Sequence, residues 1–170
     1  MNQPRQPIAV VTGASRGVGQ GIALALGAAG MTVYITGRAP AQGGSNLYGH
    51  ALSGSLEDTA AAITAAGGHG IAVVCDHADD AQVQALFAQV EAECGHLDLL
   101  VNNAAFIHDQ LIEPGPFWAK PLELVRILDV GLRSAYIASF YAAPLLLKSA
   151  QGLICFTSSF GAGCYMHGPA

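Results

Sequence analysis

Thr12-Gly13-Ala14-Ser15-Arg16-Gly17-Val18-Gly19 joins an apolar run to a helical one, and the architecture turns on this octapeptide. Upstream, residues 8–13 read IAVVTG, a short continuous apolar run ending in glycine, which marks a strand buried on both faces. Downstream, Val18, Ile22, Leu26 and Ala29 recur at helical spacing until Gly30 ends the pattern. Three glycines therefore fall where strand becomes helix. Gly13 suits the tight turn, Gly17 lets backbone approach a phosphate, and Gly19 lets helix pack on strand. The helix start then presents free N–H groups and the positive end of its dipole to a pyrophosphate. The alternative is a glycine-rich turn with no ligand. A Walker-type phosphate loop is excluded, because no Lys-Ser/Thr follows.

Working outward, apolar runs alternate with helical patterns. Residues 31–36 (MTVYIT) form the second strand, and a Gly/Ser-rich loop follows over 38–54. Ser55 caps a helix to about residue 66, with Asp58 three positions on as in a capping box. Residues 71–75 (IAVVC) form the third strand. Asp79 or Asp80 caps the next helix, which carries Val83, Leu86, Phe87 and Val90 on one face. Residues 97–101 (LDLLV) make the fourth strand, and a proline-rich loop covers 106–120. Pro121 opens a long helix to about residue 148, bent near Pro144. Residues 153–157 make the fifth strand. Repeated strand–helix–strand alternation means parallel strands joined by right-handed crossovers. The expected fold is α/β: a Rossmann-like, doubly wound parallel sheet of five strands in order 3-2-1-4-5, helices on both faces, in one domain over 1–170. Its ligand site lies beyond the carboxyl ends of the strands.

The 170 residues are 52% hydrophobic and 11% charged, which excludes a disordered chain. A net charge of -5 without a basic stripe gives nucleic-acid binding no electrostatic support. The nearly apolar run 135–147 is too short to span a bilayer. The four cysteines show no paired spacing, and no export signal opens the chain, so a cytoplasmic protein with reduced thiols is expected. The six histidines fit no metal-site spacing, and no metal is expected. Leu124, Ile127, Leu128 and Leu132 read as core or dimer interface. Phe117 and Trp118 either line a substrate pocket or pack their own loop.

The TGxxxGxG spacing, with Asp76 after the third strand, Asn102-Asn103-Ala104 after the fourth, the long helix, and Ser158-Ser159 after the fifth, resembles the short-chain dehydrogenase/reductase family. A narrower branch of it shares VYITGR, the long second loop and DVGLRSAY. The resemblance implies a nicotinamide cofactor held around Gly13, Ser15, Arg16, Gly17, Val18 and Gly19. It implies that Asp76 meets the adenine edge and that Asn103 and Ala104 lie beside the cofactor. It implies that Ser159, or Ser158 beside it, holds the substrate oxygen. Asp129 stands where the family carries an Asn whose backbone carbonyl serves a proton relay. No acid ends the second strand, so nothing there would repel a 2′-phosphate. Arg16 and Arg38 suit that phosphate, which favours NADP(H) with NAD(H) possible. The other reading of both is solvated surface arginine.

The family's proton donor is a Tyr followed four positions later by a Lys. Tyr165 is followed at that spacing by Pro169, and the family spacing from the serine falls just past Ala170. The chain is therefore expected to stop before Tyr-x-x-x-Lys, its C-terminal part missing. Two readings follow. One is an oxidoreductase moving hydride between NADP(H) and a small-molecule carbonyl or alcohol, homo-oligomeric when intact, without nucleic acid or membrane partners. The other is a catalytically dead dinucleotide-binding fragment or interaction protein. The fifth strand, apolar on both faces and lacking edge-blunting residues, is expected to behave as a strand built to be central.

Overall fold

The computed structural model describes residues 5–38, 45–47, 50–52, 54–111 and 113–159. Five parallel strands form the main sheet: β1 (Ile8–Val11), β2 (Thr32–Gly37), β5 (His69–Val74), β6 (Leu99–Asn102) and β7 (Leu153–Phe156). Their spatial order is β5-β2-β1-β6-β7, the expected 3-2-1-4-5 order when main-sheet strands alone are counted. Between β2 and the next helix, β3 (Ser45–Leu47) and β4 (His50–Leu52) pair antiparallel. The reading of 38–54 as plain loop therefore missed a short hairpin, whose three-residue strands lie below what alternation can reveal.

Because β1 is buried on both faces, its successive side chains feed two cores. Ile8 and Val10 join Tyr34 and Leu100 beneath α3 (Asp80–Cys94) and α4 (Ser134–Leu146). Ala9 and Val11 join Val33, Ile35 and Val101 beneath α1 (Gly17–Ala28) and α2 (Leu56–Ala65). Val83, Leu86, Phe87 and Val90 are all buried, as their spacing predicts. Tyr34 crosses its core to donate from its hydroxyl to Glu93 (2.6 Å), and burial raises its pKa. No helix among the described residues is long and apolar enough to cross a membrane.

The expected continuous helix from Pro121 is corrected. A short turn over Leu122–Val125 leads to a segment over Leu128–Arg133 that breaks at Val130 and Gly131, and α4 starts only at Ser134. Gly131 has φ 152°, a conformation essentially reserved for glycine. The break is held on both sides: Phe106 N–H donates to the Val130 carbonyl (2.8 Å), and Gly131 N–H donates to Ser134 Oγ (3.0 Å). Pro144 sits inside α4, near its end, and is not the cause. Leu128 and Leu132 are exposed beside this break, so the core reading of those residues fails. Phe117 and Trp118 are also exposed, at 88% and 86%, and do not pack their own loop.

Candidate functional site

At the carboxyl ends of β1 and β6 the chain builds a fixed turn. Thr12 is its centre: its hydroxyl donates to the Val101 carbonyl (3.3 Å) and accepts from Asn103 N–H (2.9 Å) and Ala104 N–H (3.0 Å). The Asn103 amide returns across the gap and donates to the carbonyls of Thr12 and Gly13, both at 2.9 Å. Gly13 adopts φ 66°, and a Cβ there would stand 2.8 Å from Ala104 Cα. A Cβ on Gly19 would overlap Asn103 Nδ2 and stand 2.6 Å from the Gly13 carbonyl oxygen. Gly19 thus clears room for the Asn103 amide, a more specific reason than helix-on-strand packing. Gly17 (φ 60°) has nothing within 4 Å of where its Cβ would be, so its backbone faces open space.

Among the described residues, no side chain caps the α1 amides after that turn. Arg16 is the N-cap with no side-chain cap bond, and the first turn of α1 holds no acid. By contrast, Ser55 Oγ accepts from Asp58 N–H at α2, and Asp79 accepts from Ala81 and Gln82 N–H at α3, each helix having acid in its first turn. The start of α1 therefore keeps uncapped amides and a dipole that no first-turn acid offsets. Across the strand ends, Val18, Asn103, Thr157, Ser158 and Ser159 line one open cleft of about 320 Å³. It brings Val18 of the glycine turn, Asn103 and the serine pair together, although they are far apart in sequence. Both serines are exposed.

The remaining residues singled out in the sequence surround this cleft less closely. Arg16 is half-buried and Arg38 exposed, and neither has an ion-pair partner among the described residues. A Cβ on Gly37 would stand 3.5 Å from Ser15 Oγ, so residue 37 borders the turn directly. Asp76 accepts from Ala78 N–H through Oδ1 (2.9 Å), a local turn bond that leaves Oδ2 without a hydrogen bond among the described residues. Asp129 is exposed on the broken segment and does not line the cleft. Its charge reinforces Arg133, which is paired to Asp80 (2.8 Å). Asn102, nearly buried, donates to Ser139 Oγ (3.1 Å) and so ties β6 to α4. Tyr165 lies outside the described residues.

Sequence reading missed Thr12, Thr36 and His77. The available signal was a hydroxyl at the end of each of two buried strands, where a buried polar group needs a partner. A larger open cleft, about 600 Å³, lies at the opposite, amino ends of the strands. Its cations are already neutralised: Arg5 by Asp98 and Lys148 by Glu91. Cys75 is buried, its thiol pushed up to about 11 by that burial, and it is no nucleophile.

The family described as short chain dehydrogenase matches residues 7–168. Dehydrogenase/reductase SDR family member 1 of Homo sapiens is 42% identical over 163 residues, 94% of this chain and 48% of that protein. It is the branch to which VYITGR and DVGLRSAY pointed. A short-chain dehydrogenase/reductase structure from Serratia marcescens superposes with TM-score 0.77 at 33% identity, covering 98% of this chain and 61% of that one. A metagenomic short-chain oxidoreductase in complex with NADP gives TM-score 0.75 at 31% identity, covering 96% and 67%. The chain spans about half the length of the curated relatives it matches.

Proposed function

The chain belongs to the short-chain dehydrogenase family, and on that premise we propose that it binds NADP(H), in preference to NAD(H), as part of an oxidoreductase acting on a carbonyl or alcohol. We take residues 1–170 as one dinucleotide-binding unit. The observation that carries the reading is the cleft where the uncapped start of α1 faces Asn103 and the serine pair. The amides of Gly17, Val18 and Gly19 would bind the pyrophosphate, with the space above Gly17 admitting it. Arg16 and Arg38 would take the 2′-phosphate, since residue 37 is glycine and offers no opposing carboxylate. Asp76 would use its remaining oxygen on the adenine edge, and Asn103 and Ala104 would border the nicotinamide side.

When bound, the cofactor supplies or accepts the hydride. Ser159 would donate a hydrogen bond to the substrate oxygen as negative charge develops there, with Ser158 the alternative donor. Asp129 would contribute only through its backbone carbonyl. A proton donor is not among the placed residues. None of Tyr34, Tyr48, Tyr136, Tyr141 or Tyr165 is followed four positions later by Lys. The 170-residue chain is therefore expected to bind the dinucleotide and turn over no substrate. The second reading, a binding fragment without chemistry, rests on that same observation.

The test is a titration of the 170-residue chain with NADPH and with NADH, followed by nicotinamide fluorescence. NADPH should bind tighter. Gly37→Asp sets a carboxylate beside Ser15 and should weaken NADPH by roughly tenfold or more while sparing NADH. Tighter binding of NADH by the unaltered chain defeats the cofactor assignment. Carbonyl reduction that survives Tyr165→Phe defeats the account of the missing donor.

A further inference from the structure

The glycine turn is gripped from a second side, by Thr36 at the end of β2. Ala14 N–H donates to the Thr36 carbonyl (2.8 Å), and Gly13 N–H donates to Thr36 Oγ1 (3.3 Å). That hydroxyl also lies 2.7 Å from His77 Nε2. Thr36 is wholly buried, and His77 is 5% exposed. A hydroxyl has one hydrogen and two lone pairs. With Gly13 N–H engaging a lone pair, the arrangement that wastes no group has Thr36 donating to Nε2 and the ring proton on Nδ1.

His77 is held inward by the turn that carries it. Asp76 accepts from Ala78 N–H through Oδ1 and from Asp79 N–H through its carbonyl, both at 2.9 Å, while Asp76 N–H donates to Gln82 Oε1 (2.8 Å). Cys75 N–H donates to the Gly37 carbonyl (2.9 Å), so this turn is registered directly against the end of β2.

We propose that His77 is a positioning residue for dinucleotide binding: it orients the Thr36 hydroxyl, which holds the Gly13 amide and so sets the turn that aims the Gly17–Gly19 amides. The inference rests on reading that turn as the pyrophosphate site. Burial pushes the His77 imidazolium down to about 4, against the opposing pull of Asp76, so the ring is a neutral acceptor near neutral pH. An apolar side chain of similar bulk would fill the same space and leave the hydroxyl free to rotate away from Gly13. Filling space and holding the hydroxyl are therefore separable by substitution.

The experiment compares the unaltered chain with His77→Leu, His77→Gln and Thr36→Val. It reads NADPH affinity by fluorescence and native-state amide exchange at Gly13 relative to the core amide of Val10. His77→Leu should weaken NADPH roughly three- to tenfold, the worth of one hydrogen bond. It should also speed Gly13 exchange without a matching change at Val10. His77→Gln, which keeps a polar atom toward Thr36, should restore both, and Thr36→Val should reproduce the loss. Should His77→Leu fail to fold, Thr36→Val against His77→Gln decides the matter. Gly13 exchange that moves only in step with Val10 overturns the proposal, as does NADPH affinity unchanged in both His77→Leu and Thr36→Val. If the unaltered chain binds neither dinucleotide, the pyrophosphate reading fails on its own, while Gly13 exchange still reports whether His77 holds the turn.

Discussion

Asn103 does three things at one place: its backbone N–H donates to Thr12, and its amide donates to two carbonyls of the turn. Gly19 is small because that amide stands over it. Gly19→Ala should therefore displace Asn103 and lower unfolding free energy by about 1–3 kcal/mol, the usual penalty for overpacking. Urea denaturation measures it, and an unchanged midpoint would mean that the amide has room to move. His77 makes a second prediction at this scale. Its imidazolium falls to about 4 in the folded protein, from an ordinary 6.5, chiefly by burial. Between those values the unfolded chain binds more protons than the folded one, so stability falls as pH drops through that window. At about 1.4 kcal/mol per tenfold change in proton affinity, the loss is on the order of 3 kcal/mol. The lowered carboxylates of Asp79, Asp80 and Asp98 lose their contributions only at lower pH. Denaturation at pH 7 and pH 4.5 should show a slope that His77→Gln flattens; an equal slope in both proteins contradicts the assignment. The glycines of the turn were legible in the sequence because their role is backbone geometry. The Thr36–His77 pair was not, because 41 residues separate its members and only the parallel register of β2 and β5 joins them.

Helices α2 and α3 each have a side-chain cap and a first-turn acid, while α1 and α4 have neither; α4 continues out of the segment before it through a helical Arg133, whereas α1 starts afresh after an extended Arg16. Local stability is left unused at the start of α1, where the pyrophosphate is proposed to bind. Arg16→Asp should supply the missing cap, raising unfolding free energy by about 1 kcal/mol. The same carboxylate should weaken NADPH by roughly tenfold or more, because it occupies the amides and opposes the phosphates. A melt and a fluorescence titration on one sample test both halves; a variant that gains stability and keeps NADPH would show that the α1 amides are not the phosphate site. Capping residues of α2 and α3 were readable in advance, since Ser55 and Asp79 act within three residues of themselves. The break ahead of α4 was not. Its cause is a positive φ at Gly131 that Phe106, from a distant loop, helps to hold. Pro144, the conspicuous breaker in the sequence, sits within α4 near its end, where few bonds remain to be lost.

Taken whole, the molecule buries the central strands β1, β2 and most of β6 beneath two pairs of helices but leaves apolar surface uncovered on α4 and β7. Leu132, Tyr136 and Phe140 recur four residues apart, each more than 60% exposed, and Leu153 and Phe156 are exposed on β7, the sheet edge. A strand edge without a partner strand among the described residues, beside apolar side chains, invites association. The 170-residue chain should therefore gain apparent mass with concentration in size-exclusion chromatography, and Leu153→Lys should reduce that gain without lowering the melting temperature. A monodisperse monomer at all concentrations would contradict this. The same strand arrangement places two clefts at opposite ends of the sheet, and the smaller one is assigned the dinucleotide. The most direct test is to follow backbone amide shifts of the labelled chain as NADP is added. The account predicts changes at Gly13, Gly17, Val18, Gly19, Asn103 and Ala104; changes confined to the groove of Arg5, Met31 and Lys148, or none at the glycine turn, would contradict it.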